Sequence, residues 1–344
     1  MKFAPLLLVF ATLAYGNESQ PTSSAQRDAF YWNALAKRGV NLGNALDAPE
    51  EGRWGVRLEE EYFDLIAKAG FQSVRIPVRW SAHAESAAPY TIDRKFLARV
   101  DWAIEQALSR DLVAVMTLHH FNEMYVAPDE NRQRFLALWR QLSEHYSDYA
   151  PTLYFEILNE PNRKLTNDLW NEYLDEAIRL VRKTNPTRAL VVGPAKWNSI
   201  SQLKNLTLPT GDKNIIVTFH YYEPFQFTHQ GASWVGKESS TWLGTQWMAT
   251  EQEQDEVTRR MDAAVQWAEE NQVPLYMGEF GAYRKADMVS RQRWTDFVRA
   301  EAEKRNISWA YWEFCARPFG IYDPASRRWR PKLLSCLLPQ ASAD

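Results

Sequence analysis

The chain alternates between two kinds of segment, and this alternation restricts its fold more than any other feature. Eight short apolar runs rich in β-branched and aromatic residues have the composition of strands, and longer amphipathic stretches with helical periodicity separate them. The runs are residues 39–43, 73–78, 112–119, 153–159, 189–194, 214–222, 274–281 and 308–314. Helices between successive strands indicate parallel strands joined by right-handed crossovers.

Eight such units predict an α/β fold, a closed (β/α)8 TIM barrel in a single domain. The alternative is an open, doubly wound sheet, which would normally carry a glycine-rich, phosphate-binding turn after its first strand. The turn at 42–49, LGNALDAP, lacks that spacing. We therefore favour the barrel and assign residues 31–340 to it.

The N-terminal residues 1–16 have the pattern of a secretory signal peptide. A single positive charge is followed by an apolar stretch, and small residues precede the predicted cleavage point. An uncleaved anchor or a core strand is the alternative. The polar segment 17–30 then predicts a flexible start to a mature protein, which we expect to be secreted or periplasmic.

Charge and cysteine content exclude several classes of protein. With 40 Lys and Arg against 43 Asp and Glu, the chain lacks the basic surface that nucleic-acid binding needs. No apolar run reaches the roughly 18 residues needed to span a bilayer. Cys315 and Cys336 are too few for a disulfide scaffold, and we favour buried free thiols over a pair. We expect a monomer without a nucleic-acid or membrane partner.

Polar residues gather where the predicted strands end, which is the side of a barrel that carries chemistry. Two are carboxylates, Glu160 after the fourth strand and Glu279 in the seventh. Paired carboxyl groups across a cleft are what glycosidic bond cleavage needs, whereas either Glu alone could be structural. Because Pro161 disfavours the α conformation before it, we expect extended backbone up to Glu160. The accompanying polar residues are Arg75, His119, His120, Asn159, His220 and Tyr222.

A metal site is an alternative, because barrels also host hydrolytic metal ions. The candidate ligands would be His119, His120, Glu123 and His220. Consecutive residues of a strand point to opposite faces, so the rings of His119 and His120 should not easily ligate one ion. We therefore predict neither a metal nor a cofactor.

Tryptophan is in excess, with 15 residues in the chain. Five lie in predicted helices, where indoles pack between helix and barrel: Trp102, Trp139, Trp170, Trp267 and Trp294. Others lie on strands or the loops after them and are candidate platforms for sugar rings, whose C–H faces pack on aromatic planes. These candidates are Trp54, Trp80, Trp197, Trp234, Trp242, Trp247 and Trp312.

Seven segments, in order along the chain, together match one known family. They are GVNLGNALDAP, SVRIPVRW, VMTLHHFNE, FEILNEPN, VTFHYYEPFQFTHQGASW, YMGEFGAYRKAD and AYWEFCARPFGIYD. They resemble glycoside hydrolase family 5, and especially its bacterial endo-β-1,4-glucanases with mixed glucan and mannan activity. The Asn-Glu-Pro motif is shared by a wide group of barrel glycosidases. The Arg, His-His and His-Tyr-Tyr residues at the strand ends narrow the resemblance to this one family.

The resemblance implies a retaining double displacement without a cofactor. Glu160 would be the general acid/base, and Glu279 the nucleophile that forms the glycosyl-enzyme intermediate. Asn159 would hydrogen-bond the 2-hydroxyl of the sugar. Trp312 would stack on the sugar ring at the cleavage point, and the peptide bond after it would be cis.

The proposed roles carry expectations about protonation. A nucleophile must stay ionised, so we expect Arg75 and a hydrogen bond from Tyr222 to lower the pKa of Glu279. An acid must stay protonated, so we expect burial and the partner carboxylate to raise the pKa of Glu160. His220 would tune that proton.

The resemblance also assigns sugar contacts to Trp197 and Trp234, with Asn44 and His229 as polar partners. Asp47 stands where relatives carry a longer carboxylate. The chain is thus predicted to be a secreted endo-β-1,4-glucanase acting on a polysaccharide or oligosaccharide, with mannan, glucomannan or xyloglucan as further substrates. The alternatives are a β-mannanase with minor glucanase activity and a non-catalytic polysaccharide-binding barrel.

Overall fold

A closed barrel of eight parallel strands forms the centre of the molecule, in a computed structural model that describes residues 27–339. Each strand pairs with the next along the chain, and the eighth pairs with the first. The strands are β1 (Arg38–Asn41), β2 (Ser73–Val78), β3 (Val113–Leu118), β4 (Leu153–Glu156), β5 (Leu190–Val192), β6 (Ile215–Tyr221), β7 (Leu275–Phe280) and β8 (Ser308–Tyr311). The predicted TIM barrel is confirmed, and the predicted signal peptide lies outside the described residues.

The longer helices cover the outside of the barrel, as the periodicity predicts, and short ones of four or five residues follow some of the strands. The helices are α1 (Ala29–Ala36), α2 (Glu60–Ala69), α3 (Arg94–Leu108), α4 (Asn122–Val126), α5 (Pro128–His145), α6 (Asn167–Arg182), α7 (Ala195–Asn198), α8 (Phe225–Thr228), α9 (Glu251–Asn271), α10 (Met288–Lys304) and α11 (Pro331–Leu337). The longest, α9, starts at a capping box in which Thr250 and Glu253 satisfy each other's backbone N–H groups.

Two features of the fold were not expected from the sequence pattern. Helix α1 begins at Ala29, so the last residues of the segment predicted to be flexible, 17–30, are helical. A two-stranded hairpin, β9 (Tyr322–Asp323) and β10 (Arg328–Trp329), follows the barrel. Both are too short for a periodic pattern to reveal.

The apolar interior has two main parts, beside a third, small cluster of Ala232, Tyr283 and Phe319. A large cluster lies between the barrel and its helices, and a smaller cluster fills the barrel with residues such as Val115, Tyr154 and Tyr276. Helix α1 closes one end of that smaller cluster, because Trp32 packs into it and the Tyr154 hydroxyl donates to the Trp32 carbonyl at 2.7 Å. The barrel is therefore a packed core whose opposite end is free to carry a site.

Neither a membrane-spanning helix nor a disulfide is found between residues 27 and 339. No helix in this range is long and apolar enough to cross a bilayer. Cys315 and Cys336 are free and buried, which confirms the interpretation of the two thiols.

Candidate active site

The polar strand-end residues lie just beyond the paired parts of the strands. Strand β4 ends at Glu156, and Glu160 follows four residues later with a φ of 46°. The expectation of extended backbone up to Glu160 is therefore wrong. Side chains hold the turn instead, because Tyr125 donates to the Asn159 carbonyl and Asn162 donates to the Glu160 carbonyl at 2.5 Å. Proline restricts the residue before it, but one local and one tertiary hydrogen bond select the conformation.

A buried guanidinium organises the centre of this end of the barrel. Arg75 is fully buried and pairs with both oxygens of Glu156, at 2.6 and 2.7 Å. It also donates to Glu279 at 2.7 Å, to Asn159 at 2.7 Å and to Asn41 at 2.9 Å. We call these five residues the Arg75 cluster. Its hydrogen bonds from a planar, preorganised donor fix the Glu279 carboxylate and the Asn159 amide in place.

Glu160 and Glu279 face each other across a short gap. One carboxylate oxygen of each lies within 4.8 Å of the other, with a ring nitrogen of His220 at the same spacing. His220 Nδ1 lies 2.8 Å from Glu160 Oε1 and 3.6 Å from Glu279 Oε2. The Tyr222 hydroxyl donates to Glu279 Oε2 at 3.0 Å. The structure thus brings together the pair that the sequence predicted, with the predicted His and Tyr beside it.

Burial raises the pKa values of both carboxyl groups, and different neighbouring charges oppose or add to each rise. Burial raises the pKa of Glu160 to about 7, with Glu156 adding to the rise and Arg75 opposing it. A quarter of the Glu160 side chain stays exposed to the cleft, at 25%. Burial also raises the pKa of Glu279, while His220 and Arg75 oppose that rise. Of the expectations, the raised pKa of Glu160 is confirmed. The expected lowering of the pKa of Glu279 is wrong, because desolvation outweighs the opposing effects of His220 and Arg75.

A second group of buried carboxyls lies behind the cleft wall. Asp47 has no exposed surface, and neither of its oxygens accepts a hydrogen bond, although three backbone N–H groups point towards it. Glu313 is equally buried, and one of its oxygens accepts from the Asn44 amide at 2.5 Å. We call Asn44, Asp47, His119, His120 and Glu313 the Asp47 cluster. Desolvation raises the pKa of Asp47 to about 7 and that of Glu313 to about 8.

The two adjacent histidines do not alternate as strand residues would. Strand β3 ends at Leu118, and His120 has a φ of 52°, so its ring turns back towards Asp47, with Nε2 3.7 Å from Asp47 Oδ2. Donor atoms of His119, His120 and Asp47 all lie within 4.8 Å of one another. The argument that the two rings point apart is therefore wrong. The absence of a metal and of a cofactor remains a prediction.

Aromatic side chains line an open cleft above both clusters. The cleft has a volume of about 1110 Å³, and its lining includes Trp54, Trp197, Trp234 and Trp312 together with Glu160 and Glu279. Trp197 and Trp234 are more than half exposed, at 54% and 56%. Flat, exposed indoles in a cleft that also carries polar groups are suited to stacking against the C–H faces of sugar rings.

Trp312 is held in a fixed position at the base of the cleft. A side chain at Gly43 would place its Cβ 2.7 Å from the Trp312 ring, so only glycine admits the indole there. The ring lies parallel to His119, with centroids 5.9 Å apart. The Trp312–Glu313 peptide is cis, as the resemblance implies.

The remaining predicted sugar contacts divide into two groups. Asn44 and His229 line the cleft, and His229 stacks on Phe225 with ring centroids 4.2 Å apart. Trp80 and Trp247 are buried in the apolar core, and Trp242 packs against Phe225 without lining the cleft. These last three indoles were wrong as candidate platforms. Position on a loop predicts proximity to the cleft but not the direction of the ring.

The match to a family model decides the identity of this architecture. Residues 32–318 match the model described as cellulase, glycosyl hydrolase family 5. The chain belongs to glycosyl hydrolase family 5. Both the suspected family and the prediction of a glycoside hydrolase enzyme are confirmed, and the alternative of a non-catalytic barrel falls.

Relatives within family 5 are similar over most of the chain. Endoglucanase H of Acetivibrio thermocellus is 36% identical over 326 residues, which are 93% of this chain and 35% of the relative. The cellulase/esterase CelE of the same organism is 28% identical and is matched over 36% of its length. This chain thus spans about a third of the length of these two curated relatives.

Solved family 5 structures match the fold closely. Thermotoga maritima Cel5A, solved in complex with mannotriose and with cellobiose, is 48% identical with a TM-score of 0.88, over 90% of this chain and 100% of that one. The cellulose synthase subunit Z of Clostridioides difficile is 42% identical with a TM-score of 0.85, over 88% and 99%. The family 5 domain therefore covers at least residues 32–318 of this chain.

Sequence reasoning missed several members of this family 5 site. Glu156 and Asn41 accept hydrogen bonds from Arg75 in the Arg75 cluster. Glu313 is part of the Asp47 cluster, and Tyr125 stabilises the turn at Asn159. Glu156 did give a signal, because a charged residue inside an apolar strand needs a buried partner. Asn41, Tyr125 and Glu313 gave none, because their roles depend on which strand ends meet in space.

Proposed function

We propose that the chain is a retaining endo-β-1,4-glucanase in which Glu160 is the general acid/base and Glu279 the nucleophile. The observation that carries the proposal is the carboxylate pair, whose closest oxygens lie within 4.8 Å in an aromatic cleft. Retaining glycosidases hold their carboxyl groups about 5–5.5 Å apart, whereas inverting enzymes need about 6.5–9.5 Å to admit a water molecule. The close approach of the two groups is that of the retaining class and supports direct attack by Glu279.

The surroundings of each carboxyl suit these two roles. Glu279 accepts hydrogen bonds from Arg75 and Tyr222, which hold its oxygen in one direction and stabilise it while it is ionised. Glu160 has no cation within hydrogen-bond distance, and its pKa of about 7 lets it give a proton and take one back near neutral pH. One carboxyl can therefore attack the anomeric carbon while the other protonates the leaving oxygen.

Two further side chains would act on the sugar at the point of cleavage. Arg75 holds the Asn159 amide beside the acid/base, where its N–H groups remain free for a 2-hydroxyl. Trp312 would lie under the sugar ring and exclude water from one face. Hydrogen bonds to the 2-hydroxyl strengthen as the oxocarbenium-like transition state forms, and therefore favour catalysis over binding alone.

The shape of the cleft favours cleavage inside a chain. Three exposed indoles, those of Trp54, Trp197 and Trp234, line the same cleft as the carboxylate pair, and the cleft opens to solvent. A polysaccharide could therefore lie across the site with sugar units bound on both sides of the cut bond. The endoglucanase names of the relatives support the same substrate class.

Product stereochemistry is the direct test of this proposal. Proton NMR during hydrolysis of a cello-oligosaccharide should show the β-anomer first, followed by slow mutarotation. An α-anomer appearing first would mean inversion and would overturn the assignment of Glu279 as nucleophile. Release of reducing ends from a soluble β-glucan, with a rapid fall in its viscosity, would establish endo action.

Mannan is the second candidate substrate. The 48% identical Thermotoga maritima Cel5A was solved with mannotriose and with cellobiose, so a similar cleft accepts both sugars. Gluco and manno units differ in the direction of the 2-hydroxyl, next to Asn159. We propose glucan as the main substrate, with glucomannan or xyloglucan as additional ones. Kinetics on carboxymethylcellulose and on mannan, side by side, would decide the order.

We also propose that the protein is exported, on the basis of the signal-like residues 1–16. Expression of the full chain in a secreting host, followed by N-terminal sequencing of the external protein, tests this. A mature end near residue 17 supports export, and retention of the intact chain inside the cell contradicts it.

A further inference from the structure

A buried asparagine lies on the far side of the histidine that contacts Glu160. Asn198 is the last residue of α7, has no exposed surface, and places its Nδ2 atom 3.3 Å from His220 Nε2. The other ring nitrogen of His220, Nδ1, lies 2.8 Å from Glu160 Oε1. The imidazole thus stands in line between an amide and a carboxyl group.

The local backbone is built to deliver this amide. Lys196, Trp197 and Asn198 all have left-handed φ angles of 55°, 60° and 51°, which turn the chain sharply after β5. A Cβ atom at Gly193 would lie 2.5 Å from Asn198 Oδ1, so the amide packs where only a glycine leaves space. The same turn directs Trp197 outwards into the cleft and Asn198 inwards to His220.

The chemistry of the two partners restricts the position of the His220 proton. Burial lowers the pKa of His220 to about 4, so the ring is neutral near neutral pH, with one nitrogen protonated and the other an acceptor. An amide nitrogen can only donate. If Asn198 donates to Nε2, the ring proton must be on Nδ1, where it points at Glu160.

The opposite orientation of the amide is less favourable. With Oδ1 towards His220, the ring would donate from Nε2, and the bare Nδ1 atom would face a Glu160 oxygen. The amide nitrogen would then lie against Gly193, where the present Oδ1 has no hydrogen-bond partner. Buried N–H groups without an acceptor are rarer than unfilled carbonyl oxygens, because a carbonyl has more tolerance for a missing partner.

We propose that Asn198 is a positioning residue that fixes the Nδ1–H tautomer of His220 and so makes this histidine a hydrogen-bond donor to Glu160. The inference rests on the proposed acid/base role of Glu160. A donor to Glu160 stabilises its ionised form, which is needed when water attacks the glycosyl-enzyme intermediate. Asn198 therefore acts on the proton affinity of Glu160 through His220.

The other groups that face Glu160 do not depend on Asn198. Arg75 approaches from β2, Glu156 from β4 and Glu279 from β7, and all three are fixed by the Arg75 cluster. The remaining titratable neighbours are the hydroxyls of Tyr125 and Tyr222. A substitution at Asn198 should therefore change the His220 contribution while the other charges stay in place.

The tautomer can be measured directly in the full-length protein. Two-bond ¹H–¹⁵N correlation spectra of histidine-labelled protein at pH 7 should show His220, assigned with His220→Gln, with a protonated Nδ1 and a bare Nε2. In Asn198→Leu, which keeps the volume but removes the donor, the Nε2–H form should grow. Wild-type protein with the proton on Nε2, or an unchanged tautomer in Asn198→Leu, would overturn the inference.

A second variant and a control protect the test against misfolding. Gly193→Ala should push the amide aside and shift the tautomer in the same direction while leaving Asn198 in the chain. Asn185→Leu removes another buried asparagine, which donates to the Ser143 carbonyl far from the site, and should leave the His220 tautomer unchanged. A tautomer change in the control would mean that the effect is general loosening.

Activity provides an independent readout. Loss of a hydrogen bond worth about 0.5–1.5 kcal/mol to ionised Glu160 should move the alkaline limb of the kcat/KM profile up by about half to one pH unit. Asn185→Leu should not move it, and an unmoved limb in Asn198→Leu would overturn the link to Glu160. The proposed function fails separately, if Glu160→Gln keeps full activity while the spectra still show Nδ1–H.

Discussion

The Arg75 cluster and the Asp47 cluster lie at the same end of the barrel and both contain buried carboxylates, but those carboxylates differ in their hydrogen bonds. Both oxygens of Glu156 and both of Glu279 accept hydrogen bonds, most of them from Arg75. Both oxygens of Asp47 and one of Glu313 accept none. The difference is that Arg75 lies within hydrogen-bond distance of Glu156 and Glu279, whereas Asp47 and Glu313 have no such cation among residues 27–339.

The comparison shows what opposes desolvation of a carboxylate inside a protein. Desolvation acts on every buried acid, and a guanidinium or a comparable donor set opposes it, although desolvation still outweighs Arg75 at Glu279. Where Arg75 is present, the carboxylates are fixed before any substrate arrives, as a catalytic centre requires. Where it is absent, burial raises the pKa of Asp47 to about 7 and of Glu313 to about 8.

Removing the Glu279 carboxylate should have the largest effect on activity. Glu279→Gln keeps the shape but loses the attacking oxygen, so kcat/KM on a soluble β-glucan should fall roughly 10⁴-fold, as for the loss of other catalytic nucleophiles. Glu160→Gln is the matched variant. It should be far less impaired on an aryl cellobioside with an acidic leaving group, which needs no proton. Equal losses on both substrates would contradict the division of roles.

Breaking the buried ion pair should have the next largest effect, on stability. Glu156→Gln leaves Arg75 short of a counter-charge and should lower the free energy of unfolding by about 3–5 kcal/mol. Glu313→Gln, measured in parallel at pH 5, removes a carboxyl that is already neutral and should cost about 1 kcal/mol or less. Urea denaturation midpoints measure both. If the two losses were equal, the contrast between the clusters would be wrong.

The Asp47 cluster should show its raised pKa values as a pH dependence of stability. The folded pKa values of about 7 and 8 lie above the ordinary values of 3.8 and 4.5. Between about pH 4 and pH 8 the folded state therefore binds more protons than the unfolded state. The stabilising contribution is full below about pH 4 and is lost as the pH rises through 8. On going from pH 5 to pH 9, the Tm of the double variant Asp47→Asn, Glu313→Gln should therefore rise by about 2–6 °C relative to that of wild type.

An exposed carboxylate serves as the control for this titration. Glu144→Gln changes a side chain on the surface of α5 and should shift the Tm equally at both pH values. A parallel gain in that variant would assign the effect to net charge rather than to the buried pair.

The smallest expected effect concerns the cleft above the two clusters. Trp197→Ala should raise KM for a soluble glucan about 2–10-fold with little change in kcat, because an exposed ring contributes about 0.5–1.5 kcal/mol of stacking. Trp80→Ala is the contrasting variant, since its indole is buried in the core, and should cost about 3–5 kcal/mol of stability. A KM change in Trp80→Ala without loss of stability would contradict this division of the tryptophans.

Much of this architecture was predictable from local pattern. Alternating strands and helices indicated the barrel, and the motif around Glu160 together with the strand carrying Glu279 indicated the pair that faces across it. The turn at Glu160 was not predictable, because hydrogen bonds from Tyr125 and Asn162 select it. The direction of His120 likewise depends on a left-handed residue after the strand has ended.

The sequence by itself determined the barrel, the order of its strands and which polar residues reach one end, because periodicity and strand-end position are properties of neighbouring residues. Only the tertiary structure decided which carboxylates meet a cation and which indoles face the cleft. Arg75 joins four residues from three other strands or their ends, namely Asn41 of β1, Glu156 of β4 with Asn159 just after that strand, and Glu279 of β7. Desolvation and charge pairing depend on residues that are distant in the chain. The protonation of the carboxyl groups and the direction of the indole rings are therefore set only when the barrel closes.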